Sequence, residues 1–133
     1  MIIDGKNAIL GRLCSNVAKT LLEGRKVYII NAEEIIITGN PRDIEREYLI
    51  RRRRGDPFKG PFYPKRPDLI VKRTVKTMLP GTARGRNAYK RLRVYVGAKE
   101  KMAKRAKPFD NKKDIKTKFI KIGDLSRKIG WTG

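Results

Sequence analysis

Residues 73–97, RTVKTMLPGTARGRNAYKRLRVYVG, decide how this chain is built. The start of this stretch and the residues just before it predict a helix with one buried side, because apolar residues recur there at helical spacing. These residues are Val71, Val75, Met78 and Leu79. Pro80 and Gly81 end that helix, since proline lacks a backbone donor and glycine tolerates unusual backbone angles. A short basic helix follows, and then a half-buried strand in which Val94 and Val96 alternate with Arg93 and Tyr95.

Cations occupy the remaining sides of these elements. Lys72, Arg73 and Lys76 fall on a different side of the first helix from its apolar residues. The second helix and its flanks carry four cations and no acid; they are Arg84, Arg86, Lys90 and Arg91. Because these charges are mounted on packed elements, the stretch predicts a surface that binds a polyanion.

Charge dominates the composition. The chain has 133 residues, which predicts one domain, and a formal net charge of +21. Residues 1–50 are neutral, with seven basic and seven acidic residues, whereas residues 51–133 hold 27 basic and 6 acidic ones. Such self-repulsion opposes compaction unless counter-charge is bound, so we expect a large acidic partner, and nucleic acid is the commonest.

The residue types needed for most catalysis are missing. The chain has no histidine and one cysteine, so no disulfide framework, Ser–His or Cys–His pair or zinc cluster can be assembled. Cys14 falls in an apolar stripe and is predicted to be a core residue. Glu33 and Glu34 with Asn31 are a possible Mg²⁺ site, but adjacent carboxylates point apart on an extended chain, which favours surface or capping roles. We expect no enzymatic activity, cofactor, metal or small-molecule substrate.

The single cysteine suits a cytoplasmic protein, and no apolar run is long enough to span a membrane.

The order of predicted elements indicates an α/β fold. A short strand at Ile2 and Ile3 precedes a helix of roughly fifteen residues, capped by Asn7 and ending before Gly24. Strands are predicted over residues 26–31 and 35–38, then a helix over 43–54. Near the end, residues 118–122 alternate as a strand, and a final helix starts at Asp124. This pattern predicts three layers: a small mixed or parallel sheet with helices on both faces, plus a basic loop and a C-terminal extension.

The basic loop covers residues 51–67, within RRRRGDPFKGPFYPKRPD at 51–68, where four prolines predict irregular structure. Its candidate phosphate-binding residues are Arg51, Arg52, Arg53, Arg54, Lys59, Lys65 and Arg66. Three aromatic residues, Phe58, Phe62 and Tyr63, are candidates for stacking on bases. The alternative is that these aromatic rings pack back onto the domain and only the cations face the partner.

The extension covers residues 98–117 and is polar and cationic, so two states remain open. It is either helical on the surface of a partner or disordered when free. Trp131, beside Gly130 near the C-terminus, is expected to pack against the domain rather than against a base.

Three blocks of this sequence resemble the archaeal and eukaryotic branch of the large-subunit ribosomal protein thirteen family. They are GRLCSNVAKTLLEG at 11–24, VYIINAEEIIITGN at 27–40 and the stretch at 73–97, and together they cover most of residues 2–97. The third block is the most specific, because TVKTMLP followed by a basic turn and RLRVY is unusual. Bacterial members have a proline- and histidine-containing segment just after the strand that ends the 73–97 stretch, and this chain has AKEKMAKRAKPFD there instead.

The resemblance implies a structural protein of the large ribosomal subunit that binds folded ribosomal RNA, assists subunit assembly and lies beside other large-subunit proteins. It places the RNA-facing residues in 51–66 and at Arg73, Lys76, Arg84, Arg86, Lys90 and Arg91. Two alternatives from other classes are an enzyme acting on RNA and a free RNA- or DNA-binding regulator. The first predicts turnover with metal and purified RNA, and the second predicts that the chain does not sediment with the large subunit.

Overall fold

The structure is a computed structural model that describes residues 1–53, 64–111 and 117–132. Along the chain the elements are β1 (Ile2–Asp4), α1 (Leu10–Leu22), β2 (Val27–Ile30), a 3-10 turn (Ala32–Glu34), β3 (Ile36–Thr38), α2 (Pro41–Arg53), α3 (Pro67–Met78), α4 (Ala83–Lys90), β4 (Leu92–Val94), α5 (Glu100–Arg105), β5 (Lys107–Pro108), β6 (Phe119–Lys121) and α6 (Ile122–Lys128). The α/β class expected from the sequence is confirmed.

Four strands form a parallel sheet in the order β4-β2-β1-β5, and β3 pairs with β6 in a separate antiparallel ribbon. The connections from β1 to β2 and from β2 to β4 advance in one direction, whereas the connection from β4 to β5 returns to the opposite edge. Because such crossovers are right-handed, α1, α3 and α4 lie on one face and α5 on the other. The packing agrees, since α1 contacts α3 and α4.

The buried face of α1 supplies much of the core. Five residues of its predicted apolar stripe are buried and Leu22 is half-buried; the buried ones are Leu10, Leu13, Cys14, Val17 and Leu21. The predicted N-cap is wrong: α1 begins at Leu10, and Asn7 has a left-handed φ of 59°. The Asn7 N–H instead donates to the Glu34 oxygen at 3.1 Å, which ties the β1–α1 loop to the 3-10 turn.

The helix predicted over 43–54 is confirmed as far as Arg53, whereas the prediction of irregular structure is wrong at Pro67 and Asp68. Helix α2 runs from Pro41 to Arg53, two residues earlier at its start than predicted, and α3 begins at Pro67. Proline is compatible with the first helical position because the N–H that it lacks has no partner within the helix anyway. The middle of the segment, residues 54–63, lies outside the described residues.

Two apolar residues of the 73–97 stretch are not in the core. Val71, Val75 and Leu79 are buried as predicted, but Met78 is 42% exposed. Strand β4 ends at Val94, and Val96 is 39% exposed. The core-facing side chains of this strand are therefore Leu92 and Val94, two residues earlier than the predicted pair, Val94 and Val96.

The C-terminal part of the chain completes the sheet. Residues 98–117 were predicted to be either helical on the surface of a partner or disordered when free. Their described part contains the helix α5, and it also contains the strand β5, which was not predicted. Strand β5 pairs Lys107 and Pro108 with β1 at the edge of the sheet, where proline is tolerated. Strand β6 and helix α6 confirm the last two predicted elements, although α6 starts two residues earlier, at Ile122.

Candidate nucleic-acid interface

The α3–α4 hairpin carries an uninterrupted excess of positive charge. Residues 69–99 contain nine Lys and Arg residues and no Asp or Glu. Helix α3 is anchored by Ile70, Val71 and Val75, which are fully buried, and α4 by the buried Ala88. The cations on these helices therefore project from a backbone whose position is set by the core.

A first hollow, called here the Pro64 hollow, lies along the exposed side of α3. Its volume is about 540 Å³, and it is lined by Pro64, Leu69, Lys72, Arg73, Lys76, Thr77 and Tyr89. The ammonium groups of Lys72 and Lys76 lie 5.5 and 5.8 Å from the centroid of the Tyr89 ring. Attraction between a cation and the face of an aromatic ring operates at these distances, so the ring helps to hold both lysines in place.

A second hollow, the Pro80 hollow, lies at the junction of α3 and α4. Its volume is about 320 Å³, and its lining residues are Lys76, Leu79, Pro80, Gly81, Gly85, Arg86, Tyr89 and Lys90. The first turn of α4 lies close to the linker that precedes it: a Cβ atom on Gly85 would lie 1.8 Å from the Pro80 carbonyl oxygen. Only glycine fits at that position, so this close approach of the backbone holds one side of the hollow in place.

Two of the predicted RNA-binding arginines make contacts with the fold. The Nη2 of Arg91 donates to the Leu21 oxygen at 2.5 Å, and the Nη2 of Arg84 donates to the Leu22 oxygen at 3.3 Å. These carbonyls belong to the last turn of α1, where the helix dipole favours positive charge. Arg91 is half-buried and Arg84 is exposed, so Arg91 is the one committed more fully to this contact.

Two cations beside the 54–63 segment, Arg51 and Arg66, have acidic partners within the protein. Arg51 forms an ion pair with Glu47, and its guanidinium lies 5.1 Å from the centroid of the Tyr48 ring. Arg66 pairs with Asp68 at 3.2 Å. Lys65 is exposed.

The remaining predicted site residues of this segment cannot be placed. For Arg52 and Arg53 the structure describes only the backbone, which belongs to α2. The others, Arg54, Phe58, Lys59, Phe62 and Tyr63, lie outside the described residues.

The acidic residues after β2 serve the fold. The Oε2 of Glu33 accepts a hydrogen bond from the Gly97 N–H at 2.8 Å, and the Asn31 Nδ2 donates to Asp4 at 3.0 Å. Within the described residues, no group of three or more His, Cys, Asp or Glu side chains is arranged to hold a metal ion. Cys14 is buried in the core as predicted, and burial raises the pKa of its thiol from 9.0 to about 12.

Sequence reasoning did not select Tyr89 as a site residue. This side chain lines both hollows and is the aromatic ring nearest Lys72 and Lys76. A signal was present, because Tyr89 stands three residues after Arg86 on a helix and therefore shares its side.

Comparison with known proteins identifies the family. The family model described as "Ribosomal protein L13" matches residues 1–101, which is most of the chain. The chain belongs to the ribosomal protein L13 family. The resemblance carried by the three sequence blocks is thereby confirmed, and both hollows lie inside the matched region.

Curated relatives in the L13 family extend the similarity to the C-terminus. The protein named "Large ribosomal subunit protein uL13" from Methanopyrus kandleri is 44% identical, and the match covers 98% of this chain and 86% of that protein. Proteins of the same name are 43% identical in Methanosarcina barkeri, covering 97% of this chain and 96% of the relative, and 39% identical in Archaeoglobus fulgidus, covering 99% and 88%. These organisms are archaea, as the departure from the bacterial pattern suggested. No helix among the described residues is long and apolar enough to cross a membrane.

Proposed function

We propose that this protein is a structural constituent of the large ribosomal subunit that binds and stabilises folded ribosomal RNA through Lys and Arg contacts to phosphates. In this role it assists subunit assembly, acts in the cytoplasm and lies beside other large-subunit proteins. Membership of the L13 family supports the place in the subunit and argues against an enzyme. The RNA contacts are supported by the charge of the surface.

One observation carries the RNA-binding part. Lys76, Arg86 and Lys90 are exposed around the Pro80 hollow, and none of them forms an ion pair with a carboxylate of the described residues. Three close cations repel one another, an arrangement that costs free energy in the free protein. Phosphate groups that lie between them relieve that repulsion.

The mechanism follows from the repulsion between RNA helices. Phosphates of adjacent RNA segments repel one another, and a rigid row of cations between them lowers the free energy of close packing. Arginine can contact two phosphate oxygens through its planar fork, whereas lysine acts as a point charge. We propose the other predicted phosphate-binding residues as further contacts; they are Arg51, Arg52, Arg53, Arg54, Lys59, Lys65, Arg66, Arg73, Arg84 and Arg91. Phe58, Phe62 and Tyr63 remain candidates for base stacking.

The test is the salt dependence of binding to a large-subunit rRNA transcript. Each phosphate contact releases condensed counterions, so the logarithm of the binding constant should fall with the logarithm of salt concentration, by roughly 0.7–0.9 per contact. Lys76→Gln and Lys90→Gln should each reduce that slope by about one such increment. A slope near zero for the unmodified protein would remove the mechanism.

Lys6→Gln is the matched control. Lys6 is exposed and follows β1, at the opposite end of the parallel strands from the α4–β4 junction. This variant removes one positive charge without altering the proposed surface, so its slope should equal that of the unmodified protein. Sedimentation of the chain with the large subunit at moderate salt tests its place in the particle.

A further inference from the structure

We infer that the Pro80 hollow binds one unstacked base of RNA, with Tyr89 as the stacking surface and with Lys76, Arg86 and Lys90 on the phosphates that flank it. This inference rests on the proposed function and adds to it a base-binding site in a protein otherwise expected to contact the RNA backbone.

The lining of the hollow combines the two surfaces that a nucleotide requires. Its floor is apolar and formed by Leu79, which is 9% exposed, with Pro80 and the buried Gly85. Its rim is formed by the three exposed cations. A volume of about 320 Å³ is at the lower end of the range typical of pockets for small organic groups. A base can occupy the apolar floor while its phosphates remain at the charged rim.

Tyr89 is held ready for stacking. Tyr89 and Lys76 line both hollows, so these two side chains form the ridge between them. Lys72 lines only the Pro64 hollow and holds the ring from that side, with its ammonium group 5.5 Å from the ring centroid. A ring that is already fixed loses little conformational freedom when a base stacks on it.

The chemistry favours RNA over an acidic peptide. Carboxylates of a peptide could neutralise the rim, but they would leave the apolar floor and the aromatic ring unused. A nucleotide uses all three features, since every base has a π-face and is flanked by phosphates. Residues 69–99 also lack any acid that would repel the phosphates on either side of the base.

The experiment compares Tyr89→Leu with Tyr89→Phe in binding to a large-subunit rRNA transcript over a range of salt concentrations. Loss of a base stack should weaken binding about 5- to 160-fold in Tyr89→Leu. The salt slope should not change measurably, because Lys76, Arg86 and Lys90 keep their charges and can still reach phosphates. Tyr89→Phe keeps the ring and should bind within about twofold of the unmodified protein.

Tyr95→Leu provides the matched control. Tyr95 is 38% exposed just after β4 and lines neither hollow, so its loss should leave affinity unchanged. Thermal melting of each variant shows whether the fold is retained. Should Tyr89→Leu not fold, chemical modification of the RNA gives the decision: one base should be protected by the unmodified protein and by Tyr89→Phe.

Several outcomes would overturn the inference. In the binding experiment they are an unchanged affinity or a reduced salt slope in Tyr89→Leu, or a loss of affinity in Tyr89→Phe equal to that in Tyr89→Leu. In the modification experiment the contrary outcome is the absence of any protected base. In assembled subunits it is a crosslink from Tyr89 to a protein instead of a nucleotide. In each case steep salt dependence of the unmodified protein would leave the proposed function intact. Failure of the unmodified protein to bind the transcript would instead refute the proposed function itself.

Discussion

Replacing Arg91 with methionine should destabilise the fold, whereas the same change at Arg86 should not. Both residues were predicted from sequence to face RNA, yet their surroundings differ. Arg91 is half-buried and donates from Nη2 to the Leu21 carbonyl at the end of α1. Arg86 is exposed, and no hydrogen bond or ion pair joins its guanidinium to another described residue. Methionine keeps the apolar stem in both cases, so the comparison isolates the guanidinium.

The expected cost follows from the contact that is lost. A hydrogen bond to a charged group contributes about 1.5–3 kcal/mol, and a cation at a helix C-terminus adds about 0.3–1 kcal/mol. The buried Nε of Arg91, which has no partner among the described residues, offsets part of this gain. We therefore expect Arg91→Met to lose about 2 kcal/mol of unfolding free energy. For a chain of 133 residues this corresponds to a fall in Tm of about 7 °C.

The assay is thermal unfolding followed by circular dichroism, with rRNA binding measured in parallel. Arg86→Met should change the unfolding free energy by less than about 0.5 kcal/mol, as exposed substitutions usually do, while its binding to RNA weakens. Equal melting temperatures for the two variants would refute the division of the arginines into one that supports the fold and one that binds. So would a larger loss of stability in Arg86→Met.

Two further predictions concern the core and the edge of the sheet. Burial keeps the Cys14 thiol protonated, so the folded protein should resist thiol-specific labelling at pH 8 until it is unfolded; rapid labelling of native protein would contradict this. Because folding raises the pKa of this thiol, its burial in the protonated form contributes fully to the unfolding free energy below about pH 9. This contribution declines as the pH rises towards 12. Asn111→Ala should cost about 1–3 kcal/mol, because Asn111 accepts from the Ile9 N–H at 3.0 Å and donates to the Asn7 oxygen at 2.8 Å. Exchange of the Lys107 amide hydrogen, the one backbone N–H of β5 because Pro108 has none, should then accelerate, and unchanged exchange there would show that the contacts do not hold the strand.

Periodicity in the sequence predicted the elements whose burial is strong. The apolar stripe of α1 and the continuous apolar run of β2 are buried on the faces expected, because several residues of each element repeat one preference. Element ends were less well predicted. Pro67 was interpreted as a residue of irregular structure, yet it starts α3, since proline suits both a loop and the first turn of a helix.

Single residues without a repeating pattern could not be placed from the sequence. Strand β5 contains only Lys107 and Pro108, and neither its length nor its composition indicates a strand. Met78 has the same polarity as its buried neighbours, yet it is 42% exposed. The pairing of β5 is decided by β1, a partner distant in the chain.

The amino-acid sequence by itself determined that a neutral α/β framework is joined to a strongly cationic second half, and it identified the family. The net charge and the spacing of apolar residues are properties of the linear sequence, so they can be determined without knowledge of how the chain packs. Only the tertiary structure decided which cations support the fold and which surround a hollow. Arg84 and Arg91 reach carbonyls 62 and 70 residues away, and no local pattern encodes a contact that exists only once α1 has packed beside α4.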